Sequence, residues 1–247
     1  MTDLAIEIKD LQKSYSEGIF RQSINEAVKG LSLEICRGDV WALAGPNGAG
    51  KTTTLHCLLG LLNPDQGIVR VLGKNPRDPE TRSAMGFQSE IFFTYPYRTA
   101  AEAIRFYGRL SGLRDPQLQN AVNRALNLLG LGEVKDRLLK TFSKGMMQRI
   151  GLAQSLVHSP EVVVWDEPST GLDPEGRCLV AELALQFKKE GKTVLLSTHI
   201  LSDIERVCDH IAIMNKGKVL ISSKMEDLLK YNPGRTLEDI YLQTVKG

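Results

Sequence analysis

The sequence predicts an α/β fold: a parallel sheet covered on both faces, an antiparallel β subdomain at the N-terminus, and a helical subdomain inserted between the strands. Three observations carry this. Val40-Trp-Ala-Leu-Ala44, Val162-Val-Val-Trp165 and Val194-Leu-Leu-Ser197 are short apolar runs, the reading expected of strands buried on both faces. Segments of helical spacing alternate with them, and strand–helix–strand order gives a parallel sheet. From Ile91 to His158 helical spacing takes over altogether.

Taken in order, Ile6 and Ile8, then Leu31, Leu33 and Ile35, repeat with a period of two and read as half-buried strands at one edge. Val40–Ala44 ends at a glycine. Lys51 to Leu62 follows with helical spacing and is stopped by Asn63-Pro64. Ile68, Val69 and Val71 return as strand before a turn at Gly73. Ala100–Leu110, Leu118–Leu129 and Gly145–Val157 read as helices separated by Gly and Pro. Pro174–Lys189 is a further helix with proline in its first turn. Ile211–Met214, Gly217 and Val219–Ile221 form a hairpin. The expected organisation is one domain over residues 1–247: an α/β core from 1–90 and 159–220, a helical subdomain over 91–158, and a helical tail over 221–247.

Composition narrows the function classes. The chain has 247 residues, 42% hydrophobic and 24% charged, with a formal net charge of +2. Acidic and basic residues are mixed throughout, so the basic stripe of a nucleic-acid binder is missing and no nucleic-acid partner is expected. Cys36, Cys57, Cys178 and Cys208 are scattered, which suits reduced thiols better than a disulfide framework or a metal cluster. The first residues alternate apolar and polar without the apolar core of a secretory leader, and no apolar run approaches the ~20 residues of a membrane span. A cytoplasmic protein is expected, one that can still dock on a membrane protein.

Gly45-Pro46-Asn47-Gly48-Ala49-Gly50-Lys51-Thr52 matches GxxxxGK[ST] in full, between an apolar strand and a helix. Glycines there let the backbone curl so that its N–H groups face phosphate oxygens, and the helix N-terminus adds its positive end. The motif assigns Lys51 to the β- and γ-phosphates and the Thr52 hydroxyl to Mg²⁺, with Thr53 beside them in the nucleotide-binding set. The expected core is therefore that of a P-loop NTPase. A match by accident, as a plain glycine-rich turn, is disfavoured by the strand and helix on either side.

Val162–Trp165 runs into Asp166 and Glu167. Successive strand residues point to opposite sides, so the two carboxylates cannot share a task unless the backbone turns. Asp166 is assigned to magnesium and Glu167 to activating the attacking water. His199 ends another strand, where ligands bind in parallel sheets. It could bond the γ-phosphate and hold the water in line with Glu167. Alone, any of these would more simply be an exposed acid at a loop start or a structural histidine; the company of the phosphate loop changes that.

Gly45–Thr52, Ser143-Lys-Gly-Met-Met-Gln-Arg149, Val162–Glu167, Ser169-Thr-Gly-Leu-Asp173 and His199 come in an order and spacing that resemble the ATP-binding cassette (ABC) ATPases, over about Leu4 to Leu220. The resemblance implies ATP and Mg²⁺ as ligands and a head-to-tail dimer around two ATP molecules, here a homodimer. It implies that Ser143 and Gly145 contact the γ-phosphate held by the partner, and that Asp173 lies in the loop crossing the interface. It also implies a transmembrane permease partner, with this chain peripheral on the inner face of the membrane.

The chain departs from the common Leu-Ser-Gly-Gly-Gln signature with Phe142-Ser143-Lys144-Gly145-Met146, a form that resembles exporter-type members handling drugs, polysaccharides or lipids. The family's glutamine switch falls on Glu90 in Gly86-Phe87-Gln88-Ser89-Glu90, with Gln88 as rival. Tyr15 resembles the adenine-stacking aromatic, with Phe20 as rival and a partly buried edge tyrosine as the plain alternative. Ile91-Phe-Phe-Thr-Tyr-Pro-Tyr97 is either ordinary core or a surface for the permease helix. Thr236–Leu242 resembles a terminal helix of the same exporters.

The expected function is thus the ATP-hydrolysing subunit of an exporter. Soluble relatives acting on nucleic acid or the ribosome carry coiled-coil insertions or two cassettes, which this chain lacks. A GTPase or small-molecule kinase shares only the phosphate loop, and Asn215-Lys216-Gly217-Lys218 lacks the aspartate of a guanine-reading motif.

Overall fold

The computed structural model describes residues 3–17, 23–92 and 94–246. Its centre is a six-stranded sheet in which strand β3 (Val40–Ala44) is buried along its whole length. Val40, Ala42 and Ala44 face one apolar cluster, Trp41 and Leu43 the other. Strands β6 (Val162–Asp166) and β7 (Thr193–Thr198) divide in the same way, which is why their sequences read as unbroken apolar runs. With β5 (Met85–Gln88), β8 (His210–Asn215) and β9 (Lys218–Lys224), the order across the sheet is β5-β6-β7-β3-β8-β9. All neighbouring pairs are parallel except β8 and β9. That last pair is a hairpin turning through Lys216 and Gly217, both at positive φ, the geometry of a tight right-twisting turn.

The N-terminal strands β1 (Leu4–Glu17) and β2 (Ser23–Cys36) join β4 (Gln66–Val71) in an antiparallel sheet of order β2-β1-β4. Ile6, Ile8, Leu31, Leu33 and Ile35 turn inward onto Trp41 and Leu43 of the central sheet and onto Leu55 and Leu58 of helix α1 (Lys51–Leu58). The period-two stretches therefore form the expected antiparallel subdomain, a second layer over the main sheet.

Short α2 (Pro79–Ser83) precedes β5. Helices α3 (Ala100–Leu110), α4 (Gln117–Leu128) and α5 (Lys144–Leu156) occupy the helical stretch. Thr99 starts α3 with a reciprocal cap: its hydroxyl accepts from the Glu102 amide and the Glu102 carboxylate accepts from the Thr99 amide. Helix α6 (Pro174–Lys189) covers β6 and β7, and α7 (Met225–Lys230) and α8 (Leu237–Lys246) follow the hairpin. Trp165 fastens α5 to the sheet. It is fully buried, and its indole N–H donates to Ser155 Oγ at 3.2 Å. Burying an indole removes enough apolar surface to be worth about 4–6 kcal/mol.

Two elements differ from the sequence expectation. The helix after the phosphate loop ends at Leu58, not Leu62. Gly60 takes positive φ, and the Leu61 and Leu62 amides both return to the His56 carbonyl, a helix-ending wrap that glycine makes cheap. Strand β5 was not expected: four residues with a glycine inside carry little periodic signal, yet Gly86 is required, because a Cβ there would lie 2.1 Å from the Ser155 carbonyl oxygen.

Candidate functional site

The site lies beyond the carboxyl ends of β3, β6 and β7, which are neighbours in the sheet. The loop from Gly45 to Gly50 leaves β3 and delivers α1. Gly48 and Gly50 both have positive φ. A Cβ on Gly50 would meet the Ala27 carbonyl at 2.3 Å, and one on Gly45 the Met214 carbonyl at 2.5 Å. Only glycine lets the loop curl this tightly between β2 and β8. The first turn of α1 has no acidic residue and no side-chain cap, so its N–H groups face the cavity with the helix dipole behind them.

Lys51 is 6% exposed. Its Nζ donates to the Gly45 carbonyl at 2.7 Å and the Pro46 carbonyl at 3.3 Å, and lies 3.4 Å from Glu167 Oε1. Thr52 Oγ1 donates to Asp166 Oδ2 at 2.9 Å. Ser197, at the end of β7, donates to Asp166 Oδ1 and accepts from the Glu167 amide at 3.0 Å. His199 Nδ1 sits 2.8 Å from Glu167 Oε2.

Asp166 and Glu167 thus both reach the phosphate loop, because the backbone turns between them. Glu167 has a φ of 52°, the left-handed region, which costs a side-chain-bearing residue about 1–2 kcal/mol. The turn swings its carboxylate to the side of Lys51 while Asp166 stays on Thr52. Glu167 Oε1 is buried and receives no hydrogen bond; its nearest charged neighbour is Lys51 Nζ at 3.4 Å.

That cavity, about 620 Å³, is bounded by Asn47–Thr53, Glu167, Glu90, Tyr15, a stretch of β2 (Asn25–Ala27 and Lys29) and Lys216 of the hairpin turn. Glu90 is exposed at its wall. Gln88 is buried at the end of β5 with its amide turned to the Ser89 carbonyl. Tyr15 stands at the rim, 38% exposed, with its hydroxyl 3.4 Å from Thr53 Oγ1. Its strand is tied down by Asp65, which accepts from the Ser14 amide at 2.7 Å and from Lys13 Nζ at 2.6 Å. Those two bonds hold the Asp65 carboxyl below its ordinary pKa. Phe20 lies outside the described residues. The cavity wall combines a lysine, hydroxyls and carboxylates with an aromatic ring at the rim, a set of groups that fits a nucleotide.

Ser143, Gly145 and Asp173 do not line this cavity. They form a second surface. Ser143 caps α5, accepting from the Met146 amide at 3.2 Å, and Asp173 caps α6, accepting from the Gly176 amide at 2.8 Å. Arg149 pairs with Asp173 at 3.7 Å. The aromatic stretch after Glu90 divides. Phe92 packs on the core and against Tyr107, while Ile91, Tyr95 and Tyr97 are exposed. Phe93 lies outside the described residues. Two residues at the site went unassigned in the sequence: Ser197, which looks like the polar end of an apolar strand, and Gln148, whose amide enters the Glu167 turn from α5.

Comparison with known proteins places this geometry. A family model described as ABC transporter matches residues 28–170. The chain belongs to the ABC transporter family. It is an ABC-type ATPase, an ATP-binding subunit of such a transporter. It is 38% identical over 231 residues to an uncharacterised ABC transporter ATP-binding protein of Synechocystis, covering 93% of this chain and 65% of that protein. It is 32% identical over 238 residues to the Nod factor export ATP-binding protein I of Cupriavidus metallidurans, covering 96% of this chain and 76% of that protein. A solved ATP-binding subunit of an ABC transporter superposes with a TM-score of 0.84 at 28% identity, covering 97% of this ABC subunit and 99% of that chain.

Proposed function

We propose that this ABC subunit hydrolyses MgATP at the cavity between β3, β6 and β7, that it does so as a head-to-tail homodimer, and that it drives an exporter. The observation that carries the chemistry is Glu167: one oxygen bonded to His199, the other buried, without a donor and beside Lys51. On this reading Lys51 pairs with the β- and γ-phosphates of ATP and Tyr15 stacks on the adenine. Among the described residues no cluster of three or more His, Cys, Asp or Glu forms a metal cage. Thr52 and Asp166 already stand together, with Glu90 at the wall, and would hold a Mg²⁺ whose remaining ligands are phosphate oxygens and water, as that ion prefers. Mg²⁺ supplies charge neutralisation on the phosphates. A water oxygen attacks the γ-phosphorus, the bond to the β-phosphate oxygen breaks, and ADP leaves with that electron pair. Glu167 Oε1 takes the water's proton, and His199 keeps the carboxylate aimed.

Ser143 and Gly145, outside the cavity, complete the partner's site, with Asp173 at the crossing. Every element occurs in one chain, so two copies make two full sites in a C₂ pair. Export is supported by the Ser-Lys-Gly-Met form of the signature and by the relative named for Nod factor export. No helix among the described residues is long and apolar enough to cross a membrane. A permease on the inner face would supply the path, and the exposed Ile91, Tyr95 and Tyr97 suit its docking.

Sedimentation tests the assembly. Glu167→Gln, which binds but does not cleave, should accumulate as a dimer with MgATP, and adding Ser143→Arg should return it to monomer. A Glu167→Gln protein that turns over within a few-fold of wild type would remove Glu167 as the base. A monomer with ATP at high protein concentration would remove self-pairing.

A further inference from the structure

The left-handed turn at Glu167 is imposed by groups around it, and one comes from outside the sheet. Gln148 is 6% exposed, in the second turn of α5. Its Nε2 donates to the Glu167 carbonyl and to the Pro168 carbonyl, each at 3.2 Å. Both amide hydrogens are thus committed to the two residues that redirect the chain after β6. On the opposite side Ser197 accepts from the Glu167 amide, and the Thr170 amide closes the turn on the Glu167 carbonyl at 3.1 Å. Ser197 belongs to the same sheet and also serves Asp166. Gln148 belongs to a helix whose first turn carries Ser143 and Gly145.

We infer that Gln148 is a positioning residue for ATP hydrolysis: it holds Glu167 in its left-handed conformation, and so ties the aim of the carboxylate to the placement of α5. The inference rests on Glu167 being the base. A backbone carbonyl that loses its donor in a buried site relaxes toward another partner, and a φ of 52° has no intrinsic preference for a glutamate. Release of the turn lets the side chain of Glu167 return to the side opposite Lys51, as strand alternation dictates. Lys51 and Thr52 belong to α1 and Tyr15 to β1, and they do not move with it, so binding survives while chemistry fails.

The test is steady-state ATPase of the full chain with MgATP for Gln148→Met and Gln148→Glu, two isosteres that lack the N–H donors. Either should lower kcat about 10- to 100-fold, the scale of a misplaced catalytic group, with KM and the ATP-induced thermal shift within about twofold of wild type. If the methionine variant fails to fold, the glutamate variant carries the measurement. In a Glu167→Gln background the same substitutions should leave the residual rate unchanged, because Gln148 acts only through Glu167. A wild-type kcat in either isostere overturns the inference. So does a loss of the same factor in both backgrounds, or a loss expressed in KM. Failure of the base assignment would show separately, as near-normal turnover in Glu167→Gln alone.

Discussion

Replacing Lys51 by Ala removes a cation that touches three acceptors at once: two loop carbonyls and Glu167. At 3.4 Å the gross attraction between Lys51 and Glu167 is about 5 kcal/mol for an effective dielectric of ~20, and desolvation of both groups offsets most of it. The larger effect is what remains. Glu167 would stay buried with His199 as its remaining side-chain partner, and stripping one member from a buried pair costs about 3–5 kcal/mol. His199 Nδ1 still contacts the carboxylate at 2.8 Å, so the lower end applies. At ~2–4 °C per kcal/mol for a chain of this size, the nucleotide-free variant should melt roughly 6–12 °C below wild type. Wild type should gain about 2.7 kcal/mol from ATP at a hundred times Kd, or roughly 5–11 °C, and the variant nothing. Adding Glu167→Gln should recover most of the lost stability without restoring the response to ATP, because it removes the stranded charge and not the missing cation. Thermal unfolding with and without MgATP reads all three proteins. A wild-type shift in Lys51→Ala refutes the phosphate assignment, and a double variant no more stable than the single refutes the electrostatic account.

Glu90→Ala should raise the Mg²⁺ concentration needed for half-maximal ATPase and Gln88→Ala should not, since Glu90 stands on the cavity wall and Gln88 is buried against Ser89; the reverse result moves the switch to Gln88. His158 is half-buried just beyond α5 with the Met85 carbonyl as its partner, and desolvation holds its pKa below the ordinary imidazole value. The unfolded chain therefore binds the proton first, so stability present above about pH 6.5 falls as the pH drops toward the folded-state pKa. His158→Gln should shrink the fall in Tm between about pH 7.5 and 5.5, and an unchanged slope would place the acid sensitivity elsewhere.

The parts of the fold that were legible in the sequence are those with long or one-sided signals. Val40–Ala44 and Val162–Asp166 are buried on both faces, so their apolar runs were unambiguous. The phosphate loop was legible because glycine and lysine occupy positions that backbone geometry and charge dictate, as the 2.3 Å approach at Gly50 bears out. Strand β5 was not legible, because a four-residue strand gains its order from pairing with β6 and not from its own pattern. The antiparallel N-terminal subdomain was expected and is found, although period two by itself reports a buried face without saying what covers it. In the site, the motif residues around the cavity were readable from their spacing, whereas Ser197 and Gln148 were not. Their role comes from hydrogen bonds to backbone groups about 20 or 30 positions away, which no local pattern encodes.

The resting contacts of Lys51 bear on how binding and hydrolysis are joined. Its three partners, the Gly45 and Pro46 carbonyls and Glu167 Oε1, all lie on the protein side of the cavity. A triphosphate in the loop is a stronger competitor for that ammonium than two carbonyls and a carboxylate already shared with His199, since charge-assisted bonds to several phosphate oxygens outweigh neutral ones. Drawing Lys51 toward phosphate weakens its hold on Oε1, the one Glu167 oxygen without a donor. His199 and the turn fixed by Ser197 and Gln148 keep the carboxylate from following. On the proposed reading Oε1 is then free to accept from water at the moment a γ-phosphate arrives, because the cation beside it at 3.4 Å is the one that engages the substrate. On the proposed reading, one lysine serves both states, and the rigidity of the Glu167 turn converts its movement into an exposed base.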